Sequence, residues 1–168
     1  MRFAAIAVAS LLFTGTCFAE EESVYTATHG PNCRERSREY VGAWICPGPS
    51  GYVAEFHDEG NLAAVAIRSA RQKPASAAYR WRGRGKVFGD MLEWRLVDGF
   101  PSAAVLRIWR GDLNEQGEER EVQELVVFKI TSSGFCRVGS IDTRRPGANE
   151  AAQQRAMKIS GEQCADQE

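Results

Sequence analysis

The chain has 168 residues, 43% of them hydrophobic and 26% charged, and a formal net charge of −1 at pH 7. That length suits one ordinary domain with its own core. The near-neutral balance supplies no general attraction to nucleic acid or acidic lipid, so neither is expected as a partner.

Residues 1–19 read as an export signal. Arg2 is followed by the apolar stretch Phe3–Phe13, and Thr14–Ala19 ends on a small residue. The apolar run is too short to span a bilayer, so a processed leader is expected rather than an anchor. The expected organisation is a signal peptide over 1–19 and one disulfide-linked β domain over 20–168, periplasmic or secreted. Cys17 is not expected to carry lipid. Thr14 and Thr16 stand where a lipid-attachment signal has a Leu-like residue and a Gly, Ala or Ser.

Residues 20–38 read as a polar, loop-like segment punctuated by Gly30-Pro31. Then a period of two sets in. Tyr40–Cys46 is a short strand stopped by Pro47-Gly48-Pro49. In Gly51–Asp58, Tyr52, Ala54 and Phe56 face one way and Glu55 and His57 the other. The turn Asp58-Glu59-Gly60-Asn61 leads into the returning strand Leu62–Arg68. Ser69–Ser76 is a connector containing Pro74. Tyr79–Lys86 reads as another strand, and Met91–Val97 as a clearer one, with Leu92, Trp94 and Leu96 on one parity. Asp98-Gly99 turns the chain into Pro101–Arg110. Gly111–Arg120 reads as a charged loop, followed by strands at Glu121–Ile130 and Phe135–Asp142. Near 148–160, Ala148, Ala152, Ala156 and Ile159 recur at helical spacing, between Pro146-Gly147 and Gly161. The expectation is a mainly β fold. It is an antiparallel barrel or sandwich of about six to eight strands, with one C-terminal helix whose small stripe lies close against the sheet.

Cys33, Cys46, Cys136 and Cys164 form an even set outside the leader, which export turns into two disulfides. Of three pairings, Cys33–Cys46 with Cys136–Cys164 closes the shortest loops and is preferred. A zinc site using His29, Cys33 and Cys46 matches no closed zinc spacing. No metal or cofactor is expected.

Signs of catalysis are sparse. His29 and His57 have no nucleophile at a recognisable spacing. Gly48-Pro49-Ser50-Gly51 is not a nucleophile elbow. Glu55 and Glu93 are single outward carboxylates, whereas a glycosidase needs two at a set separation. Asp112–Gly117 matches the first half of a calcium loop, but Gln123 stands where the closing Glu belongs. The sharpest feature is Tyr79–Lys86, where two aromatics interleave with Arg80, Arg82, Arg84 and Lys86. Guanidinium and indole groups suit an anion or a sugar face. A half-buried strand with aromatics inside and arginines outside is the other reading.

The pattern resembles the exported bacterial inhibitors of c-type lysozyme, which are small disulfide-linked antiparallel β-barrels. Cys46 followed by the hairpin Tyr52–Phe56 and Leu62–Ile67 is similar to their opening. Ser76-Ala77-Ala78-Tyr79 resembles their cleft-contacting Ser-Gly-x-x-Tyr loop, without its glycine, and implies Ser76 and Tyr79 as counterparts. The ending, Cys136–Asp142 and then Ala148–Ala151, is more similar to small exported proteobacterial proteins of unassigned function. The expected role is a non-enzymatic binding or inhibitor module for a protein or glycan in the envelope or host fluid. Its expected surface is Ser76, Tyr79, Arg80, Trp81 and Arg82. The alternatives are a structural cell-envelope protein and, less favoured, a hydrolase.

Overall fold

Alternation of apolar and polar residues gives each strand one face for a core, and a computed structural model shows how those faces meet. It describes residues 21–36, 42–71 and 78–165. The leader, Cys17 and Ser76 lie outside the described residues. The strands are β1 (Glu21–Ala27), β2 (Arg34–Glu35), β3 (Ala43–Pro47), β4 (Tyr52–Asp58), β5 (Leu62–Ser69), β6 (Tyr79–Val97), β7 (Phe100–Leu113), β8 (Glu119–Thr131) and β9 (Gly134–Asp142). One helix, α1 (Ala148–Met157), follows. All pairing is antiparallel, in the order β2-β3-β4-β5-β6-β7-β8-β9, with β1 also paired to β6. The sheet curls but does not close into a hydrogen-bonded ring.

The fold is mainly antiparallel β with one C-terminal helix, as expected, and three boundaries differ. Glu21–Ala27 is a strand, not a loop, and with Arg34–Glu35 it brings the described strands to nine. Its polar composition hides this, because only Val24 among its apolar side chains packs on the core. Its backbone is satisfied by β6, from Glu21 opposite Val97 to Ala27 opposite Met91. Tyr79–Lys86 and Met91–Val97 are halves of one 19-residue strand. Register shifts between Gly83 and Leu92 bend it, and Gly89 leaves room for the Arg107 stem. The expected loop Gly111–Arg120 shrinks to residues 114–118. Asp112 pairs with Arg120, and cross-strand ion pairs extend the ladder into a charged sequence.

The bend creates two leaves. β5 pairs with the first half of β6 and β1 with the second half, on the same edge. The inner faces meet over Phe56, Val65, Ile67, Leu92, Trp94, Leu106, Val126 and Phe128, all essentially inaccessible to water. Aromatic rings run through this layer in contact: Trp44–Phe56 at 5.8 Å, Phe56–Phe88 at 5.0 Å, Phe88–Trp81 at 5.4 Å, Trp81–Tyr79 at 5.3 Å and Tyr79–Phe128 at 5.6 Å. Each such pair contributes about 0.5–1.5 kcal/mol beyond its buried area.

A second, smaller core lies on the outer face of β7, β8 and β9. There Ala148, Ala152, Ala156 and Ile159 pack on Ala103, Val105, Leu125, Val127 and Val138. The alanine stripe brings the helix axis close to the sheet. The Cys136–Cys164 bond fastens the end of this segment to β9, and Cys33–Cys46 ties the N-terminal segment to β3. Loop closure suggests roughly 3–4 kcal/mol for each bond. The C-terminal segment also shields the free edge of β9. Ala165 donates its backbone N–H to the Arg137 carbonyl at 2.8 Å, and the Arg155 guanidinium donates to the Val138 carbonyl at 2.8 Å.

Gly48 lies against the Trp94 indole, and a Cβ there would sit 2.6 Å from a ring carbon. Its φ of −117° suits any residue, so space alone demands glycine. Gly48→Ala should therefore lower the unfolding free energy by about 1–3 kcal/mol in urea denaturation. Gly161→Ala meets open space and should stay within about 0.5 kcal/mol of the parent.

Candidate binding groove

The strand period decides the fate of the expected surface. Tyr79 and Trp81 point inward and Arg80 and Arg82 outward. Trp81 is buried and donates its indole N–H to the Trp109 carbonyl at 3.2 Å. Tyr79 is half-buried between Trp81 and Phe128, with the Arg137 guanidinium 5.4 Å above its ring. Trp81 is a core residue and Tyr79 packs half-buried against the core, so of the described residues of the expected surface Arg80 and Arg82 are the exposed ones. Arg82 and Arg84 share the Glu119 carboxylate, with Arg82 at 3.2 Å. Lys86 pairs with Asp90 at 2.7 Å and lies over Trp109. Arg80 is exposed, with no carboxylate in ion-pair range among the described residues. The arginines that a basic patch would need are mostly neutralised by neighbouring acids.

The other sequence candidates are held in structural roles. Glu55 is buried and accepts from Arg68 at 2.5 and 2.6 Å. It lies on the outer face of β4, on the leaf opposite Glu93, so the two carboxylates face away from each other across the core. Thr28, His29 and Asp90 form a row that resembles a nucleophile with its base. However, Thr28 is wholly buried and donates its hydroxyl proton to the Gly89 carbonyl at 2.5 Å, so His29 Nδ1 must donate to it. Asp112 pairs with Arg110 and Arg120. The Asn114 side-chain oxygen accepts the Gln116 and Glu118 backbone N–H groups. Those oxygens close a turn.

A concavity forms where α1 leaves the outer face of the sheet uncovered. It measures about 320 Å³ and has a floor of Val105 and Leu125. Tyr25 on β1 and Met91 on β6 form one lip, and Asn149, Ala152 and Gln153 on α1 form the opposite wall. Tyr25 and Met91 are each about half exposed. Glu93 and Arg107 face the groove from β6 and β7. The register places Glu93 opposite Val105, so Arg107 is its diagonal neighbour on the same face.

Among the described residues neither charge makes a direct ion pair, and Glu93 reaches a cation only through a hydroxyl. Glu93 is only 8% exposed. The Ser23 hydroxyl donates to its Oε1 at 3.0 Å, and Ser23 in turn receives the Arg95 guanidinium at 2.5 Å. Gln153 Nε2 approaches Glu93 Oε2 and the Tyr25 hydroxyl, both at 3.5 Å, which is too long for a strong bond. Arg107 donates to two amide oxygens, Gln123 at 2.8 Å and Asn149 at 3.0 Å. Asn149 and Gln153 are four residues apart, so one helix face presents an acceptor to the cation and a donor to the carboxylate. Burial, and then the Glu93 charge, push the Tyr25 phenol above its usual pKa. The outward parity of Glu93 was visible in the sequence. Nothing local showed that α1 would lie across β7 and β8 and bring Asn149 and Gln153 to the same place.

His57, on the other leaf, is the group that reports pH. Burial, and then the nearby Arg36, hold its pKa below the ordinary 6.5, with Glu55 and Glu59 opposing and Arg80 adding slightly. Arg36 Nη1 lies 3.4 Å from His57 Nε2, which must accept. The unfolded chain then binds more protons than the folded one, so stability rises with pH across this window. It should be fully present above 6.5 and be lost as pH falls through the lower folded value. Asp142, held at about 2 by Arg144, titrates well below this range. Thermal melts between pH 7.5 and 5.5 should show the loss, and His57→Gln should flatten it.

In comparisons with known proteins, the chain matches no protein-family model, no curated protein and no solved structure.

Proposed function

We propose that the chain is an exported, non-enzymatic binding module that takes its ligand in the groove between α1 and the sheet. One observation carries this reading. A concave site on a scaffold tied by two disulfides gathers polar side chains from β1, β6, β7 and α1 over an apolar floor. Two disulfides fit an oxidising compartment, periplasmic or secreted. The sparse catalytic groups are engaged in packing and pairing, which favours recognition over turnover.

The partner class is a cell-wall glycan or a c-type lysozyme, the latter by the family resemblance. Within that resemblance Tyr79 packs half-buried against the core and Arg80 is exposed, so a lysozyme would be met by Arg80 on the other leaf and a glycan by the groove.

The test is co-sedimentation with peptidoglycan sacculi and inhibition of a c-type lysozyme by the purified protein. Micromolar retention or inhibition is expected, without sacculus hydrolysis by the protein itself. Gln153→Arg sets a guanidinium beside Glu93 and fills the groove. It should weaken retention on sacculi at least tenfold with an unchanged melting temperature. Arg80→Ala should weaken lysozyme inhibition alone. No retention and no inhibition, or sacculus hydrolysis, would overturn the reading, and full binding by Gln153→Arg would remove the groove from it.

A further inference from the structure

An unpaired strand edge is a row of backbone donors and acceptors that another strand can complete. Two ends of this sheet are protected. The C-terminal segment covers β9, with Ala165 and Arg155 bonded to the Arg137 and Val138 carbonyls, and β2 is only two residues long. β1 has no such guard. Its seven residues include no Pro and no Lys, and none of them is buried. Its ladder to β6 runs from Glu21 to Ala27 without a register shift. One bond fixes the direction of its backbone groups. Thr28 donates its N–H to the Asp90 carbonyl at 3.0 Å, directly across the continued register. Bonded and non-bonded pairs alternate along an antiparallel ladder, so Glu22, Val24 and Thr26 also face β6. Glu21, Ser23, Tyr25 and Ala27 present their backbone groups to the open edge. Among the described residues no backbone group bonds to them there.

We propose that this edge is a dimer interface, at which β1 pairs antiparallel with β1 of a second copy across a two-fold axis at Val24. An open edge takes an extended backbone, and the side chains decide whose. Both strands exchange bonds only in registers that set odd-numbered residues opposite odd-numbered ones. The register centred on Val24 meets that condition and pairs the whole of β1. Glu21 then stands opposite Ala27 of the other copy, Glu22 opposite Thr26 and Ser23 opposite Tyr25. Each carboxylate faces an uncharged residue, so the strand is complementary to itself. A slip that centred the axis on Glu22 would bring like charges together, which is unfavourable. Two-fold pairing uses up the edge on both copies, so assembly stops at the dimer. The second copy also reaches the groove, because Tyr25 is part of its lip. The other copy's Ser23 lies beside Tyr25, with its Tyr25 as the diagonal neighbour, and the groove gains a wall beyond β1. Only that wall rests on the binding reading; the dimer stands on the edge alone.

Sedimentation equilibrium and amide hydrogen exchange on the purified protein provide the test. A short ribbon is a small contact, so monomer is expected at about 1 µM and dimer at about 1 mM. Over that range the Ser23 and Tyr25 amides should gain at least tenfold protection. Val24 and Thr26, bonded to β6, should stay protected throughout, and this readout needs no variant to fold. Tyr25→Pro removes a donor that faces the open edge and none that faces β6, and should weaken dimerisation at least tenfold. Tyr25→Ala keeps that donor and should dimerise about as well as the parent. A monomer at about 1 mM would overturn the proposal and leave the edge to a strand of another protein. Ser23 and Tyr25 amides already protected in the monomer would overturn it as well, since the edge would then be filled within one chain. A dimer indifferent to Tyr25→Pro, or weakened equally by Tyr25→Ala, would place the interface elsewhere. If the dimer forms while sacculi and lysozyme are both ignored, the binding reading falls and the edge pairing stands.

Discussion

The constraint on which the structure depends is the double membership of β6. One 19-residue strand is hydrogen-bonded to β7 on one side and, in succession, to β5 and β1 on the other. A straight strand of that length would hold both partners in one flat sheet and leave the aromatic faces in water. Register shifts beside Gly83 and Gly89 let it bend, and the bend folds one leaf over the other. The row of rings from Trp44 through Phe56, Phe88, Trp81 and Tyr79 to Phe128 then fills the angle between the leaves. Each ring reaches its neighbour because β6 carries Tyr79, Trp81 and Phe88 inside the bend.

That bend also explains why the outer surfaces differ. On the leaf of β3, β4 and β5, buried charge is neutralised internally by Arg68 and Arg36 on Glu55. On the other leaf, the outer face receives α1, whose alanines cover β8 and β9 but stop short of β1 and the second half of β6. The uncovered remainder becomes the groove. Its two charges sit at the border between helix-covered sheet and open sheet, and Glu93 reaches Arg95 only through the Ser23 hydroxyl. The helix that leaves the gap also lines it, through Asn149 and Gln153. The Cys136–Cys164 bond and the Arg155 contacts to Val138 and Glu162 therefore bear on the shape of the groove as well as on stability.

Much of this was legible in the chain. The inward parity of Tyr52, Ala54, Phe56, Leu92, Trp94 and Leu96, the turn at Asp58–Asn61, the alanine stripe and the cysteine pairing follow from local rules of period, turn chemistry and loop length. The same rules failed where a segment's partner lies far away. Glu21–Ala27 reads as loop because an edge strand needs few apolar residues once β6 satisfies its backbone. Tyr79–Trp81 presents the same alternation whether its aromatic side meets solvent or a second leaf. Only the fold-over of β3–β5 decides between them.

What the sequence determined alone was the class of structure and which side chains share a face, because those depend on neighbours within a few positions. What only the tertiary structure decided was which face meets which. Residues 23, 25, 93, 107, 149 and 153 come from four separate elements, and no periodicity links them. Their meeting depends on the bend in β6, on the crossing of α1 and on the disulfide at its end. Each of these is settled by packing across the whole chain rather than by any stretch of it.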